Sequence, residues 1–165
     1  KPQQPRLGTK DTRSIHAHYE GELSALQGLR EQMSDIGSAI QFLLNDIIDF
    51  HEALEQAFAM EKGIHDQGLL ESAVHTPFQT FGGVDLYPSV FDKAARLCYG
   101  LAKDHPFRDG NKRTALHSML VYLGVHDIYL HYDAATLEEI IISIADGSMS
   151  ADELSLWLKN NHVHV

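Results

Sequence analysis

Ten consecutive residues, His105-Pro-Phe-Arg-Asp-Gly-Asn-Lys-Arg-Thr114, bring together the groups that handle a nucleotide phosphate. An imidazole such as that of His105 exchanges a proton near neutral pH, which suits it to take one from a hydroxyl. The Asp109 carboxylate is a hard oxygen donor of the kind that joins substrate phosphates around Mg²⁺. Gly110 has no Cβ and lets a phosphate approach the backbone. The pattern places a helix start at Gly110-Asn111, and a helix N-terminus offers unpaired N–H groups and the positive end of a dipole to an anion. Lys112 and Arg113 add cations, and an Arg fork can hold two phosphate oxygens. Phe107, between His105 and Asp109, is expected to point into the core and anchor the loop. Loops of this composition also occur on inert surfaces, and Asp and Asn cap helices for stability alone. The ordering of the groups within ten residues is what favours a phosphate-transfer site.

The elements that must position this loop read as helices. Residues 1–10, rich in Pro, Gln and charge, read as a tail or linker. From Thr12 to Gln32 a stripe of Tyr19, Leu23, Leu26 and Leu29 predicts a helix, weakened by Gly21 and Gly28. Asn45 is read as an N-cap for a helix whose face holds Ile47, Ile48, Leu54 and Phe58. Asp66 precedes a short helix through Leu69, Leu70 and Val74 that ends near Pro77. Residues 77–88 read as an aromatic loop or short hairpin, and Pro88 is placed in the first turn of the next helix. That helix carries Val90, Phe91, Ala94, Leu97, Cys98 and Leu101 and stops before His105-Pro106. The following one runs from about Gly110 to Gly124. Two capping boxes, Thr136/Glu139 and Ser150/Glu153, open the last two helices, with Gly147 closing the first of them. No repeat and no alternation of strands with helices is present, so the fold class is all-α.

Composition narrows the function. A chain of 165 residues suits one domain with a sizeable core. A formal net charge of -10 argues against a nucleic-acid partner, because phosphate neutralisation needs clustered Lys and Arg. One cysteine, Cys98, excludes an intramolecular disulfide and reads as core. No apolar run approaches the ~20 residues that span a bilayer, and the N-terminus has no apolar signal region. A cytoplasmic protein without a membrane partner is expected. The His16/His18, His126/His131 and His162/His164 pairs read as solvated or capping histidines rather than metal ligands, and Trp157 as packing.

HPFRDGNKRT resembles the signature of the Fic family, and Lys112 followed by Arg113-Thr114 resembles its Doc (death-on-curing) branch. The likeness extends in family order through Asp46–His51, Gly63–Asp66, Gly68–Ala73, Gln79–Gly83 and Leu86–Pro88, covering roughly Phe42 to Lys159. The resemblance implies a helical Fic bundle with a short flap or hairpin near the active site. It implies His105 as base, Asp109 as Mg²⁺ ligand, and Gly110, Asn111, Lys112 and Arg113 as the ATP phosphate site. Gln79, Thr80 and Phe81 correspond to the flap that lays down the target; an ordinary aromatic-anchored turn reads equally well there. Most Fic proteins move AMP from ATP to a target hydroxyl. Doc toxins carry Lys where others carry Gly, which implies a reversed nucleotide and transfer of the γ-phosphate to a threonine of elongation factor Tu, stopping translation. The second signature Arg, three residues after the first, is replaced here by Leu116, with His117 next. Kinase activity is therefore favoured over AMP transfer, and a silent binding protein is disfavoured by the intact motif.

Met33 reads as a natural start, dividing the chain into residues 1–32 and a Fic/Doc domain over 33–165. Doc toxins are silenced by an antitoxin tail that folds on them, and Fic proteins by a helix with the pattern (S/T)xxxE(G/N). His16-Ala-His-Tyr-Glu-Gly21 matches that pattern except at His16. Residues 1–32 are thus expected to be an antitoxin-like or inhibitory segment, with Glu20 pairing Lys112 or Arg113; a helix that only pads the core is the alternative.

Overall fold

The computed structural model describes residues 35–164. The expected helix over Thr12–Gln32 and the contact expected of Glu20 lie outside them. Among the described residues six α-helices enclose one core, and two short antiparallel strand pairs lie at its margins.

Helix α1 spans Ile36–Ala57. Its buried residues Ala39, Ile40, Leu43, Ile47, His51 and Leu54 follow a helical stripe. The N-cap is Asp35, which accepts from the Ser38 amide at 2.8 Å, so the expected cap at Asn45 is wrong. Leu43 and Ile40 continue the apolar face upstream. Asn45 lies on the exposed side, where its Oδ1 accepts from Gln41 Nε2 at 3.0 Å. Phe58 is the C-cap in extended backbone, half out of the protein rather than on the buried face.

Helix α2, Gln67–His75, lies where the short helix after Asp66 was expected; Asp66 caps it, and a 3-10 turn over Thr76–Phe78 follows it. Strands β1, Thr80–Phe81, and β2, Val84–Asp85, form a hairpin. Its two turn residues, Gly82 and Gly83, have φ of 58° and 80°, the left-handed values that a tight hairpin of this twist requires.

Helix α3, Val90–Asp104, opens with a capping box of Ser89 and Asp92; Pro88 therefore stands outside the helix, not in its first turn. Helix α4, Asn111–Val125, packs along α3 and against α1. Ten of its fifteen residues are buried, on all sides, which identifies the central helix of the core. Its N-terminus is thereby held by packing along its whole length.

Strand β3, Ile128–Leu130, pairs with β4, His162–His164, a link the sequence pattern did not reveal. Between them come α5, Ala134–Asp146, and α6, Ala151–Asn160. Asp133, not Thr136, caps α5, accepting from the Thr136 amide at 2.8 Å. Asp133 and Thr136 both satisfy the local capping rule, and the upstream choice adds the helix-favouring Ala134 and Ala135. Gly147 closes α5 with φ 86°, and Ser150/Glu153 caps α6, both as expected. Asp92 joins α3 to α6 through Ser155 Oγ at 2.5 Å and Lys159 Nζ at 3.3 Å. No helix among the described residues is long and apolar enough to cross a membrane.

Candidate active site

His105 ends α3 in left-handed backbone, φ 50° and ψ 59°, and is exposed. A side chain in that conformation costs about 1 kcal/mol, so the surrounding structure must hold it there. The segment after it is stitched to residues 63–66. The Pro106 carbonyl accepts from the His65 and Asp66 amides at 2.8 and 3.0 Å, and the Arg108 amide donates to the Gly63 carbonyl at 3.1 Å. Between these bonds Phe107 is buried, as expected, and bridges Ile64.

Asn111 closes the loop from the other side. Its Oδ1 accepts from the Phe107 amide and its Nδ2 donates to the Phe107 carbonyl, both at 2.9 Å. The geometry gives Asn111 a bracing part, and the second hydrogen of its Nδ2 lies outside these two bonds, so the brace is compatible with the phosphate contact expected of it.

Asp109 and Gly110 form the corner into α4. Asp109 is exposed, and its Oδ1 accepts from the Gly110 amide at 2.8 Å. Gly110 is left-handed, φ 77°, and a Cβ there would lie 2.9 Å from Met60 Cε. Helices α1, α2, α3, α5 and α6 each have a side chain accepting from the first turn; α4 has none. Its first-turn N–H groups therefore have no side-chain cap and carry the positive end of the helix dipole, an arrangement that attracts phosphate. Lys112 is exposed in that turn. The Arg113 guanidinium lies 4.3 Å above the Phe58 ring, which fixes its direction. Thr114 is buried, its hydroxyl donating to the Gly110 carbonyl at 2.8 Å, a hydrogen bond that steadies the first turn.

The chemistry of this donor set fits Mg²⁺ bound with a nucleotide. Asp109 offers one accessible hard oxygen ligand, and no group of three or more His, Cys, Asp or Glu among the described residues could hold a metal alone. Mg²⁺ takes one or two carboxylates and completes its shell from phosphates and water.

Two residues of α1, His51 buried and Glu55 partly buried, were missed as part of the site. His51 reaches the Asp109 carbonyl with Nε2 at 2.7 Å and Glu55 with Nδ1 at 3.0 Å, and stacks on Phe107 with ring centroids 3.8 Å apart. The spacing of fifty-eight positions hides that contact from any local motif. His117, which follows Leu116, is buried, places Nε2 2.9 Å from Asp46 Oδ2 and stacks on Phe50; it joins α4 to α1.

The hairpin carries Gln79, Thr80 and Phe81 to the surface, with Phe81 80% exposed. Its base is tied to α3 by Lys93 Nζ, 3.2 Å from Asp85 Oδ2 and bonded to the Tyr87 carbonyl. Cys98 lies in the core as expected, and burial pushes its thiol up to about 12, which removes it as a nucleophile.

Comparison with known proteins agrees with the motif. The profile of the Fic/DOC family matches residues 30–123. The chain is 37% identical over 104 residues to a protein of Mycolicibacterium smegmatis named Toxin Doc, covering 62% of this chain and 80% of that one. It is 26% identical over 114 residues to Protein kinase doc of Escherichia phage P1, covering 69% and 89%.

Proposed function

The chain belongs to the Fic/DOC family, and from that premise we propose that it is a Doc-type toxin kinase, transferring the γ-phosphate of ATP to a Ser or Thr hydroxyl of a target protein. One observation carries the reading: His105, at the end of α3, is joined by a five-residue braced loop to a helix whose first turn has no side-chain cap and contains Lys112. The relative named as a protein kinase supports the same reaction class.

The target hydroxyl oxygen attacks the γ-phosphorus, and its proton passes to the His105 imidazole. The bond from the γ-phosphorus to the bridging oxygen breaks, and ADP leaves. The N–H groups of the first turn of α4, with Lys112 and Arg113, hold the phosphates by charge and hydrogen bonding. Mg²⁺, held by Asp109 when bound, neutralises phosphate charge. Gln79, Thr80 and Phe81 on the hairpin lay down the target segment, and elongation factor Tu is the target the resemblance implies, with inhibition of translation as the outcome. A cognate antitoxin, or residues 1–32 acting in its place, silences the site.

Incubation of the protein and elongation factor Tu with ATP labelled at either the α- or the γ-phosphate tests the reaction. Label entering the target only from the γ-position, with a mass gain of one phosphate, is expected. Label from the α-position, with the mass gain of AMP, would establish adenylyl transfer instead.

A further inference from the structure

We infer that Glu55 and His51 are positioning residues for the phosphate-handling loop, fixing the Asp109–Gly110 peptide on which the aim of the Asp109 carboxylate and the first turn of α4 depend. The inference rests on the reading of His105–Thr114 as the reacting site.

His51 is 2% exposed. Its Nε2 donates to the Asp109 carbonyl at 2.7 Å, and its Nδ1 lies 3.0 Å from the Glu55 carboxylate. The stacked Phe107 ring fixes its plane. A polar side chain buried this deeply gives little stability over an apolar one of the same volume. What it adds here is direction. The Asp109 carbonyl can point only toward Nε2, and that sets the peptide from which the left-handed Gly110 turns into α4. The relation is close: a Cβ on Gly110 would lie 3.6 Å from His51 Nε2.

Glu55 extends the brace. Its Oε1 holds His51, and its Oε2 accepts from the Gly63 amide at 3.1 Å. The Gly63 carbonyl in turn accepts from the Arg108 amide at 3.1 Å. One carboxylate thus grips the loop from two sides, through His51 at Asp109 and through Gly63 at Arg108. Neither residue lies within the ten-residue motif, and both come from the helix against which α4 packs.

The test uses the full chain and three variants, Glu55→Gln, His51→Gln and His51→Leu. It measures γ-phosphate transfer during a Mg²⁺ titration, and amide hydrogen exchange by NMR without nucleotide. Removing partners that orient a metal ligand costs about 10- to 100-fold in metal affinity or activity. Glu55→Gln and His51→Leu are therefore expected to lower kcat about tenfold and to raise the half-saturating Mg²⁺ concentration, leaving KM for the protein target unchanged. Exchange at the Arg108 and Gly110 amides should quicken. His51→Gln keeps a donor for the Asp109 carbonyl and should recover part of the loss. A folded Glu55→Gln protein with unchanged kcat, Mg²⁺ midpoint and exchange overturns the inference. So does an equal loss in His51→Gln and His51→Leu with exchange unaltered, which is what packing alone gives. Should His51→Leu not fold, Glu55→Gln and His51→Gln carry the test. A parent protein that transfers no γ-phosphate sinks the proposed reaction, while the exchange data still decide the positioning role.

Discussion

The Asn111 side chain holds both backbone polar groups of Phe107, amide and carbonyl, at 2.9 Å each. Together they bridge the loop from its midpoint to the first residue of α4, so the position of Asp109 follows from a side chain two places further on. A hydrogen bond of this kind contributes about 1 kcal/mol, and more is lost when a buried partner is left unpaired. Asn111→Ala is expected to lower unfolding stability by about 2 kcal/mol, measured by urea denaturation. Its loss of transfer activity should exceed that of a core variant destabilised at least as much, such as Ile144→Ala. Equal losses would show that Asn111 acts through stability alone.

Gly110→Ala puts a Cβ at φ 77° and 2.9 Å from the flexible end of Met60. The left-handed strain is about 1 kcal/mol, and the methyl group, pressed against Met60, His51 and Leu54, shifts the corner from which the first turn of α4 starts. The protein should fold, with affinity for ATP weakened about tenfold, equal to ~1.4 kcal/mol. Calorimetric titration with ATP and Mg²⁺ checks this, and an unchanged Kd would remove Gly110 from the phosphate site.

Burial pushes the Asp92 carboxyl up, but hydrogen bonds from Ser155, Ser89 and Lys159 outweigh it and hold the group at about 2, below its ordinary 3.8. A depressed carboxylate stabilises the fold above the unfolded value, and that contribution is lost as pH falls from near 4 through about 2. Asp92→Asn should therefore be less stable at pH 7, by about 1 kcal/mol once solvent screening of this partly exposed group is counted. The gap to the parent should close as the pH falls toward 2. Thermal unfolding of both proteins across pH 2 to 7 reads the gap directly. A gap constant across that range would mean that the Asp92 charge plays no part.

Cys98 is 1% exposed, and burial pushes its thiol up to about 12. Folded protein at mildly alkaline pH should react with a thiol reagent only as fast as it opens, whereas denatured protein should react at once. Rapid labelling of the native protein would contradict the buried placement.

Removal of residues 1–32 should raise toxicity in cells if the segment is inhibitory, and Glu20→Ala in the full chain should do so in part. Unchanged or lower toxicity, with the shortened protein folded and His105→Ala inactive in parallel, would sink the inhibitory reading.

The sequence by itself determined whatever depends on near neighbours. The His105–Thr114 motif is contiguous, so its groups are close wherever the chain goes. The caps at Asp66 and Ser150, the break at His105 and the turn at Gly82-Gly83 follow from bonds and dihedrals within a few residues. Local rules failed where two satisfied the same code, as with Asp133 and Thr136, or where a buried face ran past an apparent cap, as at Asn45. Tertiary structure alone decided the rest. It set Glu55 and His51 beneath Asp109, turned Asn111 onto Phe107, laid Arg113 over Phe58 and paired β3 with β4. Except at Asn111, those contacts join residues far apart in the chain. Each exists only because the apolar faces of α1, α3 and α4 bury one another, and no spacing along the chain records which polar groups that burial brings together.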